Sequence, residues 1–311
     1  MIINNSNLNA LRLGFQRNFM KSYLGTKSVW PQLAMATTSS LAEEGYPFLE
    51  EVGLMKEYVS ELNTEQLVAY MYKLKNRKFG KSYAVKVEDI ERDNLKLLPT
   101  KAEAFGRAMM LWGDQLLGEQ FKAMFDGGPD GDNLDYAGAF FCDTSHPVVL
   151  PGGSIGTASN KITKKLDFST FAAAQASFGA AKDLFQSRVD KDGEPLMLKP
   201  DTLVVGNDLE DTANAGMTLE RLEDGKPNIY RNKCKVLKFD WVKSGEWFLL
   251  DTSSPFKPFI FQTEKKPYVL PMPDETSEQV RKKEIVDFVV KARGAAGFGE
   301  WRLCVGSDGT T

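Results

Sequence analysis

The stretch that decides the fold runs from Thr100 to Phe125 and reads TKAEAFGRAMMLWGDQLLGEQFKAMF. Large apolar residues recur in it every three to five positions, which is the spacing of one helical face. Thr100 and Glu103 form a capping-box pattern after Pro99, and Gly127-Gly128-Pro129 ends the run. The pattern predicts one helix of roughly 38 Å, at about 1.5 Å per residue. Its predicted core positions are Phe105, Met109, Trp112, Leu116 and Phe121.

The composition of the chain excludes several functional classes. With 311 residues, 42% hydrophobic and 26% charged, it is an ordinary globular sequence with room for two domains. A formal net charge of −3 does not provide the basic surface of a nucleic-acid reader. The first ten residues have no signal-peptide core, and no apolar run is long enough to span a membrane. We therefore expect a soluble protein that is made in the cytoplasm and has no membrane partner.

Cysteine and histidine usage argues against an enzyme. Cys142, Cys234 and Cys304 form no CxxC pair, and His146 is the single histidine, so a metal cluster or hydrolytic triad has few possible members. The run from Cys142 to Pro147 places Cys, Asp, Ser and His side by side, but neighbours on an extended strand point to opposite faces. We expect no catalytic residue, no metal and no cofactor. A hydrolase using Cys142 or Ser145 with His146 is the weakest alternative.

Two segments before the predicted helix have apolar faces but little core of their own. In the first, residues 1–22 predict an amphipathic helix with Leu8, Leu11, Phe15 and Phe19 on one face, followed by an irregular arm. In the second, apolar residues alternate with other residues around Tyr72 and again around Tyr83. A glycine-containing break at residues 76–80 separates the two runs, which predicts a hairpin. Lysines crowd its predicted tip. The hairpin either projects toward a partner or folds back on its own domain, with the lysines guarding an edge strand.

The rest of the chain reads as α+β. Residues 168–185 predict an alanine-rich helix, residues 203–205 a buried strand, and residues 234–242 and 247–250 two more strands. In the last block, residues 257–262 and 268–270 predict a strand pair across Pro267, and residues 286–290 and 303–305 predict the final strands.

Several motifs in this order resemble the major head (capsid) subunit of Mu-like bacteriophages. One group is C-terminal: Lys257 to Gln262, Lys265-Lys266-Pro267, Arg293, and Gly297-Phe298-Gly299-Glu300-Trp301. A second is Phe140-Phe141-Cys142-Asp143 with His146-Pro147, which is similar to the family's Phe-Phe-Asp…His-Pro motif with Cys142 inserted. The third is Phe79 with Asp89 and Asp93-Asn94, which is similar to the end of the family's hairpin.

The resemblance implies the Hong Kong 97-type capsid fold, an α+β architecture. The expected parts are an N-terminal arm at 1–45, an extended hairpin loop at 46–94, a peripheral domain with the spine helix at 95–133, an axial domain at 134–252, and peripheral return strands at 253–311. In that fold the arm and the loop lie across neighbouring subunits. The residues expected to contact another subunit are Phe15, Phe19, Tyr70, Tyr72, Lys78 and Lys81.

The function implied by the resemblance is that of a major capsid protein. Copies would assemble into hexamers and pentamers, forming the icosahedral head around double-stranded DNA of a tailed bacteriophage or prophage. The implied partners are other copies, a separate scaffolding protein, a portal, a decoration protein, and packaged DNA bound without sequence specificity. The protein would be assembled in the bacterial cytoplasm and reside in the virion. Another virion structural protein, such as a tail tube or minor head component, is the main alternative.

Overall fold

A computed structural model describes residues 5–49, 69–92, 95–150, 153–190, 192–270 and 278–311. The helices in these ranges are α1 (Asn5–Gly25), α2 (Trp30–Leu33), α3 (Val87–Glu91), α4 (Leu98–Met110), α5 (Trp112–Ala123), α6 (Phe171–Ala174), α7 (Ala180–Gln186), α8 (Glu210–Thr218) and α9 (Glu278–Lys283). A π-helical turn, Gln175–Gly179, joins α6 to α7, and Trp301–Leu303 form a 3₁₀ turn.

The strands of the described residues form two larger sheets and two ribbons. The strands are β1 (Ala34–Thr38), β2 (Glu43–Leu49), β3 (Ala69–Lys75), β4 (Arg77–Lys86), β5 (His146–Val149), β6 (Ile155–Ala158), β7 (Lys161–Ile162), β8 (Thr202–Val205), β9 (Lys235–Lys238), β10 (Trp247–Leu250), β11 (Phe259–Val269), β12 (Ile285–Phe298) and β13 (Cys304–Ser307). The sheet orders are β1-β11-β12-β4 and β7-β13-β10-β8-β9, and the ribbons are β2-β3 and β5-β6.

The predicted spine is two helices rather than one, because Leu111 interrupts it between α4 and α5. At this joint the Asp114 carboxylate accepts hydrogen bonds from the backbone N–H groups of Val29 and Trp30, so α2 is anchored there. The predicted capping box is wrong. The helix begins earlier, at Leu98. Pro99 is accommodated in its first turn, because the backbone N–H groups of that turn have no hydrogen-bond partner within the helix. All five predicted core residues of the spine are buried.

The four-stranded sheet packs on α1 and α4. Val286, Phe288 and Val290 alternate along β12 toward the helices, and the Phe15 ring stacks on Phe288 with centroids 4.4 Å apart. Phe19 is also fully buried in this cluster. The predicted helical face is therefore confirmed for α1, but the irregular arm expected after it is wrong. The chain continues into α2 and then β1, which pairs in parallel with β11.

The predicted hairpin is wrong in its pairing. β3 pairs with β2, whereas β4 pairs with β12, so the two strands around Asn76 belong to different sheets. The alternation of apolar residues correctly indicated strands, but it did not identify their partners. The partner of β4 lies about two hundred residues later in the chain. β4 is the outer strand of its sheet and carries the exposed Lys78 and Lys81, while the choice between a projecting and a folded-back segment stays a prediction. The central part of the predicted loop, residues 50–68, lies outside the described residues, as do Asp93 and Asn94.

The five-stranded sheet forms the centre of the predicted axial domain. Its strands β8 and β10 are buried at every position, with the helix through Phe178 and Phe185 packed against them. The last strand, β13, lies between β7 and β10 in this sheet, so the predicted block 253–311 divides between both sheets. The predicted strand pair across Pro267 is also wrong. β11 is one strand, and register irregularities around Lys265 allow a proline within it.

Candidate functional site

Two motifs from distant parts of the sequence meet in the interior. The Phe141 ring stacks on Phe298 with centroids 4.6 Å apart, and the His146 ring lies parallel to Trp301 at 4.0 Å. We call these four residues together with Asn160 the motif junction. It lies where the loop after α5 and the strand β5 contact the turn between β12 and β13. Two of the three motif groups that suggested a family therefore form one structural unit.

Asn160 connects the members of the motif junction. Its Nδ2 donates to the carbonyl oxygens of Phe141 at 2.7 Å and Trp301 at 3.3 Å. Its Oδ1 accepts from the Asp143 N–H at 2.8 Å and lies 3.0 Å from His146 Nε2. Sequence reasoning missed Asn160, because one asparagine between two short strands looks like an ordinary turn residue.

His146 has a polar side chain beside each ring nitrogen and an aromatic ring against its face. Nδ1 lies 3.1 Å from Asp135 Oδ2, and both side chains are fully buried. The other oxygen of Asp135 accepts from the N–H groups of Ala137 and Ala139. Together with the Asn160 and Trp301 contacts, this arrangement fixes His146 as part of the interior rather than as a base exposed to a substrate.

The neighbouring candidates for nucleophilic catalysis do not converge on His146. The Asp143 carboxylate accepts hydrogen bonds from Thr144 and Ser145; burial alone would raise the pKa of Asp143, but these bonds outweigh it and lower the pKa. Burial raises the pKa of the Cys142 thiol well above its ordinary value. In the described part of the chain, no cysteine or serine makes a hydrogen bond to His146, and no group of acidic, cysteine or histidine side chains could hold a metal ion.

A second buried polar group joins α7 to β13. The Arg188 guanidinium donates to the carbonyl oxygens of Arg302 and Cys304, the latter at 3.0 Å. Its charged carbon also lies 5.4 Å from the centroid of the Trp301 ring. Burial lowers the pKa of Arg188 to about 10. The sequence carries no signal for this role, since a single arginine near a helix end is usually exposed.

The ribbon of β2 and β3, here called the hairpin ribbon, is attached to the body of the chain through side chains of both strands. Tyr46 donates a hydrogen bond to Gln262, and the Phe298 N–H donates to the hydroxyl of Tyr72 at 3.2 Å. Burial raises the pKa of Tyr72 to about 12. Leu74 packs on Ile260 and Ala295. Tyr72, predicted to contact another subunit, therefore contacts its own chain.

The other residues predicted to contact another subunit fall in three environments. Phe15 and Phe19 have 1% and 0% exposure, so the expectation that they meet a neighbouring subunit is corrected: both rings are enclosed by the chain itself. Lys78 and Lys81 are exposed on β4, and the Lys81 ammonium lies 5.4 Å from the centroid of the Phe105 ring. The side chain of Tyr70 is outside the described residues.

The chain matches a family of phage head proteins. Residues 8–177, 168–242 and 243–310 match the family model described as Mu-like prophage major head subunit gpT. The Mu-like prophage FluMu major head subunit of Haemophilus influenzae is 22% identical over 295 residues, covering 94% of this chain and 70% of the relative. The major capsid protein of Escherichia phage Mu is 22% identical over 309 residues, covering 99% of this chain and 76% of the relative.

Solved structures agree on the architecture. The procapsid of bacteriophage JBD30 superposes with a TM-score of 0.62 at 24% identity, covering 98% of this chain and 76% of the JBD30 chain. The predicted Hong Kong 97-type α+β fold is thereby confirmed. No helix in the described ranges has both the length and the apolar character needed to cross a membrane.

Proposed function

The chain belongs to the Mu-like prophage major head subunit family, and from this premise we propose that its copies associate into hexamers and pentamers of an icosahedral head. The shell would enclose the double-stranded DNA of a tailed bacteriophage or prophage. The observation that carries the proposal is the extent of the family match, which reaches from residue 8 to residue 310 and so includes both sheets and the hairpin ribbon.

Unpaired strand edges support self-association. Among the described strands, β2 and β3 pair only with each other, and β4 has one partner, β12. A two-stranded ribbon is marginal in water unless another surface covers it. Contacts of one surface with a different surface on the next copy close into rings when the rotation permits, which is how hexamers and pentamers form.

The proposed partners follow from the role of a shell. They are further copies of the chain, a scaffolding protein, a portal, a decoration protein, and packaged DNA held without sequence-specific contacts. The net charge of −3 suits a wall that does not bind phosphate tightly. We propose a purely structural role without catalysis, with assembly in the bacterial cytoplasm and residence in the virion. The fixed contacts of His146 support the structural role.

Electron microscopy of the purified full-length protein tests this proposal. We expect closed shells or curved sheets with five-fold and six-fold rings at high protein concentration. A monodisperse monomer at that concentration would contradict the proposal. Stacked rings of one constant size would instead support the tail-tube alternative, because a tube requires no five-fold closure.

A charge reversal on β4 tests whether this edge takes part in assembly. Lys78→Glu combined with Lys81→Glu should reduce particle yield and leave the circular dichroism spectrum of the subunit unchanged, because both side chains are exposed. Lys199→Glu combined with Lys233→Glu, at two exposed positions outside β4, makes the same change of −4 in net charge and is the control for charge alone. Equal loss of particles in both variants, or normal yield from the β4 variant, would remove β4 from the interface.

A further inference from the structure

Two cysteines that are far apart in the sequence touch in the interior. The Sγ atoms of Cys142 and Cys304 are 3.9 Å apart, although 162 positions separate the residues. Both side chains are buried. Cys142 lies in the loop after α5, where its N–H donates to the Met124 carbonyl, and Cys304 is the first residue of β13. The third cysteine, Cys234, instead donates its thiol to the Pro200 carbonyl.

We propose that Cys142 and Cys304 are a modification site, a dithiol that hydrogen peroxide converts to an intrachain disulfide. The first sulfur attacks one peroxide oxygen, the O–O bond breaks, and a sulfenic acid forms with release of one water. The second sulfur then displaces that hydroxyl as a second water. In total, two thiols lose two protons and two electrons, and one S–S bond forms. The sulfurs must approach from 3.9 Å to about 2.0 Å for the bond to form.

The surroundings decide which oxidants can act. Burial and the Glu246 carboxylate disfavour a thiolate at Cys142, whereas the nearby Arg188 charge favours it. Arg188 also lies against Cys304, since its Nη2 donates to the carbonyl of that residue at 3.0 Å. Because both sulfurs are buried, a small uncharged oxidant should react slowly through local opening, and a bulky disulfide reagent should react more slowly still.

A disulfide at this site would stabilise the protein after its release from the cell. The thiols stay reduced in a cytoplasm and meet oxidants outside it. A disulfide would join the loop after α5 to β13 and close a loop of more than 160 residues, which restricts the unfolded chain. The idea that a shell gains this disulfide after leaving its host rests on the proposed function. The reaction itself depends only on the geometry of the chain.

Thiol counting on the full-length protein tests the proposal. The protein is reduced, freed of reductant, treated with hydrogen peroxide, unfolded and alkylated with N-ethylmaleimide. We expect the alkylated thiols to fall from three to one, a peptide that links Cys142 to Cys304, and a higher thermal midpoint. Dithiothreitol should restore three thiols and the original midpoint.

Three alanine variants serve as matched controls. Cys142→Ala and Cys304→Ala should each keep both remaining thiols and show no rise in midpoint, whereas Cys234→Ala should still form the bond. Three free thiols after an exposure that fully oxidises a reference dithiol peptide would overturn the proposal, as would a link through Cys234 or a sulfinic acid at either residue. Should the alanine variants not fold, peptide mapping of the unmodified sequence still decides. Failure to form shells would count against the proposed function and leave the thiol count unaffected.

Discussion

Asn160 is the side chain on which the motif junction most depends. We expect Asn160→Ala to lower the free energy of unfolding by roughly 3 kcal/mol or more, because it leaves two carbonyl groups and the Asp143 N–H without partners at about 1 to 3 kcal/mol each. Urea unfolding followed by tryptophan fluorescence measures the effect. Asn214→Ala on the exposed side of α8 is the matched control and should change stability little. Equal losses in both variants would show that the junction has no special role.

Glu246 should make stability depend on pH in an unusual direction. Burial raises the pKa of Glu246 from 4.5 to about 7, with Lys243 opposing the rise and Asp126 and Asp308 adding to it. In the unfolded chain the carboxyl loses its proton near its ordinary pKa, while in the folded chain it keeps the proton up to about pH 7. Its contribution to stability is therefore full below about 4.5 and is lost as the pH rises through about 7.

Glu246→Gln isolates this effect, because glutamine imitates the protonated acid at every pH. The variant should gain stability over the natural sequence at about pH 8 and show little difference at about pH 4, with both measured by urea unfolding. Other carboxylates also make stability depend on pH, such as Asp143, whose pKa is lowered by its hydrogen bonds. Their contributions are the same in both proteins and cancel when the two are compared at each pH. A difference that does not change with pH would contradict the assignment.

At the scale of elements, α5 packs against the turn after β9 at a glycine. A Cβ on Gly118 would lie 2.3 Å from the Trp241 ring, so Gly118→Ala should cost about 1 to 3 kcal/mol through overpacking. Gly14, on the exposed side of α1, has no atom within 4 Å of its added Cβ. Gly14→Ala should therefore stabilise the chain by about 0.5 to 1 kcal/mol. Thermal unfolding of both variants measures the contrast, and effects of the same sign would contradict the packing at Trp241.

The elements also show which features the sequence could predict. The apolar face of α1 and the buried positions of α4 and α5 were predictable, because apolar residues on one helical face recur every three or four positions and can be recognised within a short stretch of sequence. The partner of β4 was not, since Gly80 pairs with Lys291 and alternation alone does not say which distant strand is opposite. Asn160 and Arg188 were missed for the same reason: their hydrogen bonds reach residues up to 141 and 116 positions away.

At the scale of the whole molecule, the subunit should fold before it assembles. Three apolar clusters are closed by the chain itself, and one of them contains Phe15 and Phe19 from the segment expected to lie across a neighbour. The described part of the hairpin ribbon, by contrast, contacts the body through Tyr46, Tyr72 and Leu74. We therefore expect a cooperative thermal transition at concentrations too low for assembly, because the stability of the body does not depend on other copies.

Hydrogen exchange separates the two regions. In the unassembled subunit, amides of α1 and β12 should exchange as slowly as those of β8 and β10, while amides of the hairpin ribbon should exchange fast, since few buried contacts hold it. In assembled particles, amide exchange in the hairpin ribbon should slow by at least about tenfold, which corresponds to roughly 1.4 kcal/mol of added protection. Fast exchange of α1 in the unassembled subunit would mean that this helix is ordered only by assembly. An unchanged ribbon would mean that its open edges are not where copies meet.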